Sequence, residues 1–315
     1  MPPPFRFAIS MPPLTQPTGT WRDQIRRIED LGFSTVAISD HFANGWTMDP
    51  IVAMSVAAEA TTRLRVSSLV LCNDFRHPVL LHKSMANLDV FSGGRLELGL
   101  GAGWLRDDHD AAGLPFDPPG VRIDRLTEAI EVMIRLFADR PVTFAGQHYR
   151  ITELDGLPKP VQRPHPPLAV GGGSRRILEL AGRTADIVAI NVSLGRIMDP
   201  AHSDAELSTA RLSGKIAWAR SAAQTAGRDP DALEFQLSVL DLRVAAGGVE
   251  HRSSSSLAAY ASPEALAASA VALHGTVDEC ADKLLALRER HGISYLHLGS
   301  NVDAAAPIVQ RLAGR

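Results

Sequence analysis

Lysine is scarce in this chain. Only Lys83, Lys159, Lys215 and Lys283 occur among 315 residues, and arginine carries nearly all the positive charge. The 32 basic side chains fall short of the 35 acidic ones, a formal net charge of −3, so no field large enough to recruit nucleic acid is expected. Two cysteines, Cys72 and Cys280, are too few for a disulfide framework and stand at no metal-ligand spacing. No metal site is expected, and a reducing cytoplasmic setting fits. No apolar run reaches the roughly 18 residues of a membrane span, and Met1–Ser10 lacks the basic stretch and apolar core of a secretory signal.

What is present is a series of short apolar runs that end in chemistry or glycine: Ser34–Phe42, Val66–Asp74, Arg95–Trp104 and Pro167–Ser174. Runs of this length between helical segments predict buried parallel strands. The alternation continues to the end. Strands are expected at Phe5–Ser10, Ser34–Ser39, Leu64–Leu71, Arg95–Leu100, Leu168–Val170, Asp186–Ile190, Glu234–Leu240 and Ser294–Leu298. Helices are expected at Thr20–Leu31, at Asp49–Ala60 with Asp49 as N-cap, and at Pro78–Val90, Arg122–Phe137, Ser174–Gly182 and Asp204–Thr225. Further helices are expected near Pro263–Leu273, at Val277–His291 behind a Thr276–Glu279 capping box, and at Ala304–Leu312. Val142–Ile151 predicts a hairpin, Leu157–Pro167 an extended linker with five prolines, and Gly247–Ser256 a mobile Gly/Ser-rich segment. Eight βα units in order predict an α/β fold, a (β/α)8 TIM barrel. It is expected to form a single domain over 1–315 with insertions near 105–120, 140–166, 192–206 and 241–262.

In such a barrel the strand ends share one mouth, where ligands bind. Gly171, Gly172, Gly173 and Ser174 follow the fifth strand, where glycines admit close approach and Ser174 can cap the next helix. Backbone N–H groups there, with Arg175 and Arg176, suit a phosphate; a plain tight βα turn would read the same way. Asp40 and His41 close the second strand. An imidazole whose tautomer Asp40 fixes suits acid–base work or a hydrogen bond to a heterocycle, and a structural histidine is the alternative. Ser67, Ser68 and Asn73 surround the third strand's exit, either beside a flat ligand or in a polar turn. Trp46 and Trp104 are candidate aromatic walls, or packing at the mouth. Gly99–Gly103 lacks the helix and the acidic residue of a dinucleotide fingerprint.

Together these motifs resemble the bacterial luciferase-like superfamily, and within it the branch that uses the deazaflavin coenzyme F420. The marks are Ser39–Phe42, Leu69–Pro78, Leu88–Trp104 and Phe144–Tyr149, with Gly275-Thr276 and Gly292 near the end. The resemblance implies a luciferase-like barrel and an F420-dependent oxidoreductase acting on a small-molecule substrate. FMN-dependent monooxygenation is the nearest alternative, and a non-catalytic F420-binding barrel the second. It implies His41 and Asp40 as catalytic. The implied cofactor-binding set adds Ser67, Ser68, Leu69, Asn73, Gly101, Gly103, Trp104, Gly171–Ser174 and Asn191. A non-proline cis peptide is implied at Ser68-Leu69 or one bond earlier. Trp104 stands where the branch's sugar-phosphate dehydrogenases carry a glutamate, which argues against glucose-6-phosphate. A homodimer is expected through Ile51, Met54, Leu81 and Met85. The excursions Asp107–Gly120, Val192–Glu206 and Asp241–Ser262 would choose the substrate, and they carry no recognisable chemistry.

Overall fold

The structure, a computed structural model, describes residues 3–14, 16–43 and 45–315. Eight parallel strands follow in chain order: β1 (Arg6–Ser10), β2 (Thr35–Ile38), β3 (Arg65–Ser68), β4 (Leu96–Gly101), β5 (Leu168–Gly172), β6 (Ile187–Ile190), β7 (Glu234–Ser238) and β8 (Ile293–His297). Their order, β3-β2-β1-β8-β7-β6-β5-β4 with β3 pairing back onto β4, is that of a (β/α)8 barrel. Among the described residues no helix is long and apolar enough to cross a membrane.

The chain divides into two compact units. One holds the chain up to Pro12, Asp23–Ala37 and Val170–Arg315; the other holds Pro13–Arg22 and Ile38–Ala169. In the first, β1 pairs with β2 and β8, and β7 with β6 and β8. Phe7, Ile9, Phe235 and Tyr295 are fully buried there, as strands covered on both faces require. Helix α1 (Thr18–Asp30) precedes β2 in sequence, and α6 (Arg175–Thr184) follows β5.

In the second unit, α2 (Pro50–Ala60) opens as expected, with Asp49 Oδ1 accepting from the N–H groups of Ile51 and Val52. Helix α3 (Pro78–Phe91) leads to β4; the seven-residue α4 (Arg106–Ala112) and long α5 (Pro119–Phe137) follow. The hairpin Val142–Ala145/Arg150–Leu154 packs Val142, Tyr149 and Ile151 onto Ala129, Val132 and Leu136 of α5. Glu128 of the same helix ties its turn by accepting from the N–H groups of Gln147, His148 and Tyr149.

Several expectations need correction. The non-proline cis peptide is Leu69–Val70, one bond later than expected. Leu69 N–H still bonds Ile38 O, and the Ser68 hydroxyl donates to Gly99 O and accepts from Gly99 N–H, so the chain stays tied to both neighbouring strands through Leu69. Gly99 is obligatory here, because a Cβ would lie 1.9 Å from Ser68 O. Asp204–Thr225 is not one helix: Ser208 caps a new one, Thr209–Thr225, by accepting from Arg211 N–H. The segment expected to be mobile forms a hairpin, Asp241–Ala246 with Val249–Ser254. The helix near Pro263–Leu273 ends at Ala268, and Ala272–Thr276 pairs with Asp241–Ala246 as a strand. Met54, Leu81 and Met85 are buried in the core, because the faces of α2 and α3 that carry them turn inward. The exposed large apolar side chains of these helices are instead Val52, Leu80, Val90 and Phe91.

Candidate active site

His41 leaves the C-terminal end of β2 and is held on three sides within the second unit. Trp46 lies 5.0 Å from it, tilted by 43°, and Trp104 meets it edge-on at 5.9 Å. Both indoles remain about half exposed, at 46% and 47%, so the chain itself does not cover them. His41 Nδ1 stands 2.6 Å from Asp108 Oδ2, while Asp108 Oδ1 accepts from the N–H groups of Phe42 and Ala43 at 2.9 and 2.8 Å.

Asp40 does not fix the His41 tautomer, contrary to the sequence reading. Successive residues at a strand end diverge, and the Asp40 carboxylate turns inward to a bidentate pair with Arg76, at 2.5 and 3.2 Å, while accepting from Cys72 N–H. Burial raises its carboxyl above the usual value of 3.8, and the Arg76 hydrogen bond and charge only partly offset that. Arg76 also reaches Asp49, so the Asp40 pair is tied to the cap of α2. Burial likewise pushes the Cys72 thiol to about 12, which leaves it an inert core group.

Ser67, Ser68 and Gly101 are buried in strand ends, and the Ser68 hydroxyl is committed to Gly99. The Leu69 carbonyl accepts from Ser39 Oγ. Asn73 is buried and donates to the Tyr149 hydroxyl. Cys72 Sγ and Arg122 border Gly103, and Arg122 donates to the carbonyls of Ala102 and Gly103.

In the first unit, Gly171 and Gly172 end β5, and Gly173 and Ser174 lead into α6. Ser174 occupies the N-cap position, but its side chain makes no capping bond, which corrects that expectation. A Cβ at Gly173 would lie 2.4 Å from the Val192 carbonyl, so this glycine serves a close approach of the protein's own chain. Asn191 Oδ1 accepts from Val192 N–H, and its carbonyl accepts from Lys215 Nζ. Beside it Glu206, fully buried, pairs with Lys215, Arg211 and Arg196 and accepts from Ser193 N–H. Burial lowers the Lys215 ammonium's pKa despite that carboxylate.

Two excursions expected to be chemically silent thus supply buried carboxylates, Asp108 and Glu206. Sequence reasoning missed both, as well as Arg76. The available signal was an acidic residue among others on a short polar helix, Asp108 beside Asp107 and Asp110 and Glu206 beside Asp204, and nothing local marks which of them turns inward.

A family model described as luciferase-like monooxygenase matches residues 6–294. An F420-dependent hydroxymycolic acid dehydrogenase of Mycobacterium tuberculosis is 31% identical over 65% of this chain and 54% of its own length. An FMNH2-dependent dimethylsulfone monooxygenase of Pseudomonas putida is 30% identical over 50% of this chain and 44% of its own. The chain spans about half the length of the curated relatives it matches. The structure of a coenzyme F420-dependent tetrahydromethanopterin reductase from Methanopyrus kandleri superposes with a TM-score of 0.75 at 19% identity, covering 97% of each chain.

Proposed function

This chain belongs to the luciferase-like monooxygenase family, and from that premise we propose that it is a coenzyme F420-dependent oxidoreductase acting on a small organic substrate. The observation that carries the reading is the imidazole of His41 at a strand end, set between two half-exposed indoles and backed by a buried carboxylate. A flat ring system fits there: large apolar walls stand uncovered, and one hydrogen-bonding group has a fixed plane. The cofactor would supply hydride transfer at the deazaflavin C5. His41 would contact the ring or the reacting substrate atom, Trp46 and Trp104 would exclude water, and Asp40 would act from behind by holding Arg76. Ser67, Ser68, Leu69, Asn73, Gly101 and Gly103 would shape the strand ends that back the ring. Backbone N–H groups of Gly171–Ser174 at the start of α6, with Asn191 nearby, would take the cofactor phosphate. Trp104 in place of a carboxylate disfavours a sugar phosphate as substrate.

The F420-dependent relative matches more of this chain than the FMNH2-dependent one does. FMN remains the second reading on the strength of that second relative. Titration of the purified protein with F420 and with FMN, followed by cofactor fluorescence, tests the choice. Saturable F420 binding is expected, with His41→Ala weakening it by about tenfold or more, roughly 1.4 kcal/mol. Binding of FMN alone would overturn the F420 reading. F420 binding without hydride transfer to any carbonyl or from any alcohol would favour a carrier role.

A homodimer belongs to the same proposal. Val52 and Leu80 stand out from α2 and α3, and the exposed Phe91 borders a groove of about 310 Å³ between Ile51, Ser55, Ser84 and Leu88. Apolar side chains gathered on one face suit an isologous contact with a second copy.

A further inference from the structure

Three nitrogens converge on the two oxygens of Asp108. Oδ1 accepts from two backbone N–H groups, those of Phe42 and Ala43, and Oδ2 faces His41 Nδ1 at 2.6 Å. The carboxylate is 2% exposed on its side chain, against 14% for His41, so water does not compete for these bonds. Burial works against ionisation of Asp108, but the His41 bond and the two amides outweigh it and hold the carboxyl below its usual range. An ionised carboxylate only accepts, so the hydrogen between it and a neutral imidazole sits on Nδ1. The indoles of Trp46 and Trp104 fix the plane of the same ring.

We propose that Asp108 is a positioning residue that locks His41 in the Nδ1–H tautomer and presents Nε2 as an acceptor to the cofactor ring or the reacting substrate atom. The inference rests on the cofactor reading above for what Nε2 meets, and on this chain alone for the tautomer. Asp108→Asn discriminates sharply. Its amide has one acceptor oxygen, and the two backbone N–H groups can only donate. If that oxygen stays with Phe42 and Ala43, the NH2 group faces His41 and every bond is kept only when Nδ1 becomes the acceptor. The opposite rotamer leaves donors facing donors. The substitution therefore inverts the tautomer while keeping size and packing.

The test is long-range 1H–15N correlation of the imidazoles in the ¹⁵N-labelled full chain at mildly alkaline pH, with His41→Gln for assignment. The wild type should show a pyrrole-type Nδ1 and a pyridine-type Nε2, and Asp108→Asn should show the reverse with an unchanged circular dichroism spectrum. An Nε2–H tautomer in the wild type overturns the lock without reference to any variant, and an unchanged tautomer in folded Asp108→Asn overturns the role of Asp108. Saturating F420 should move the Nε2 resonance of the wild type. Binding seen by fluorescence with Nε2 unmoved overturns its presentation to the ring. Absence of any F420 binding overturns the cofactor reading and that presentation, while the tautomer is still read from the ligand-free spectrum.

Discussion

Asp40 shows what one buried charge requires of its neighbours. Removing one partner of a buried ion pair leaves an uncompensated charge, so Arg76→Met should destabilise the fold by about 3–5 kcal/mol near neutral pH. The pH dependence has a definite sign. Burial already holds the Asp40 carboxyl above the ordinary 3.8, so the folded chain takes up this proton more readily than the unfolded one. The stability linked to it is complete below 3.8 and is lost as pH rises through the folded value. Losing Arg76 removes the influences that lower that value and widens the window upward. Urea melts at acidic and neutral pH should show the variant's deficit growing with pH; a deficit independent of pH would mean Asp40 is not its source.

At the scale of elements, single contacts decide whether strand ends and turns hold. Gly99→Ala would drive a Cβ into the Ser68 carbonyl, and an overpacked strand of this kind should cost about 1–3 kcal/mol or more, read as a lower urea midpoint. Little change would mean that β3 and β4 can move apart. The hairpin on α5 depends on Glu128. Its carboxyl is held below the ordinary 4.5, since bonds from His148, Gln147 and Tyr149 N–H groups outweigh burial. Its contribution is complete above 4.5 and is lost as pH falls through the lowered value. Amide exchange at residues 147–149 should therefore quicken in Glu128→Gln at neutral pH and in the wild type only in strong acid. Local signals of this class were legible beforehand. The Asp49 cap and the Thr276–Glu279 box lie within a few residues of what they bond, and both are present. The hairpin at Asp241–Ser254 was not legible, because its second strand is polar on both faces and gives the composition of a loop.

At the scale of the whole molecule, light scattering at micromolar concentration should give twice the mass of one chain, and Phe91→Arg should return it to one. A wild-type monomer would refute the pairing, and a dimer untouched by the substitution would move it to another face. Of the four residues first expected to mediate it, Met54, Leu81 and Met85 lie on the inward side of their helices, and only Ile51 is partly exposed. Two helices with little segregation of polar from apolar residues do not announce which face is outward.

The sequence by itself determined the barrel, because eight apolar runs spaced by helical segments have few other ways to be buried. It also marked His41, Trp46 and Trp104 as separate candidates near strand ends, which the structure brings into contact, and it carried the motifs of the family to which the chain belongs. Only the tertiary structure decided what each charged group faces. His41 meets a carboxylate 67 positions away, and the adjacent Asp40 meets an arginine 36 positions away. Periodicity fixes which side of a strand a residue occupies, but the partner across a gap depends on the path of an excursion, and no local pattern encodes that path.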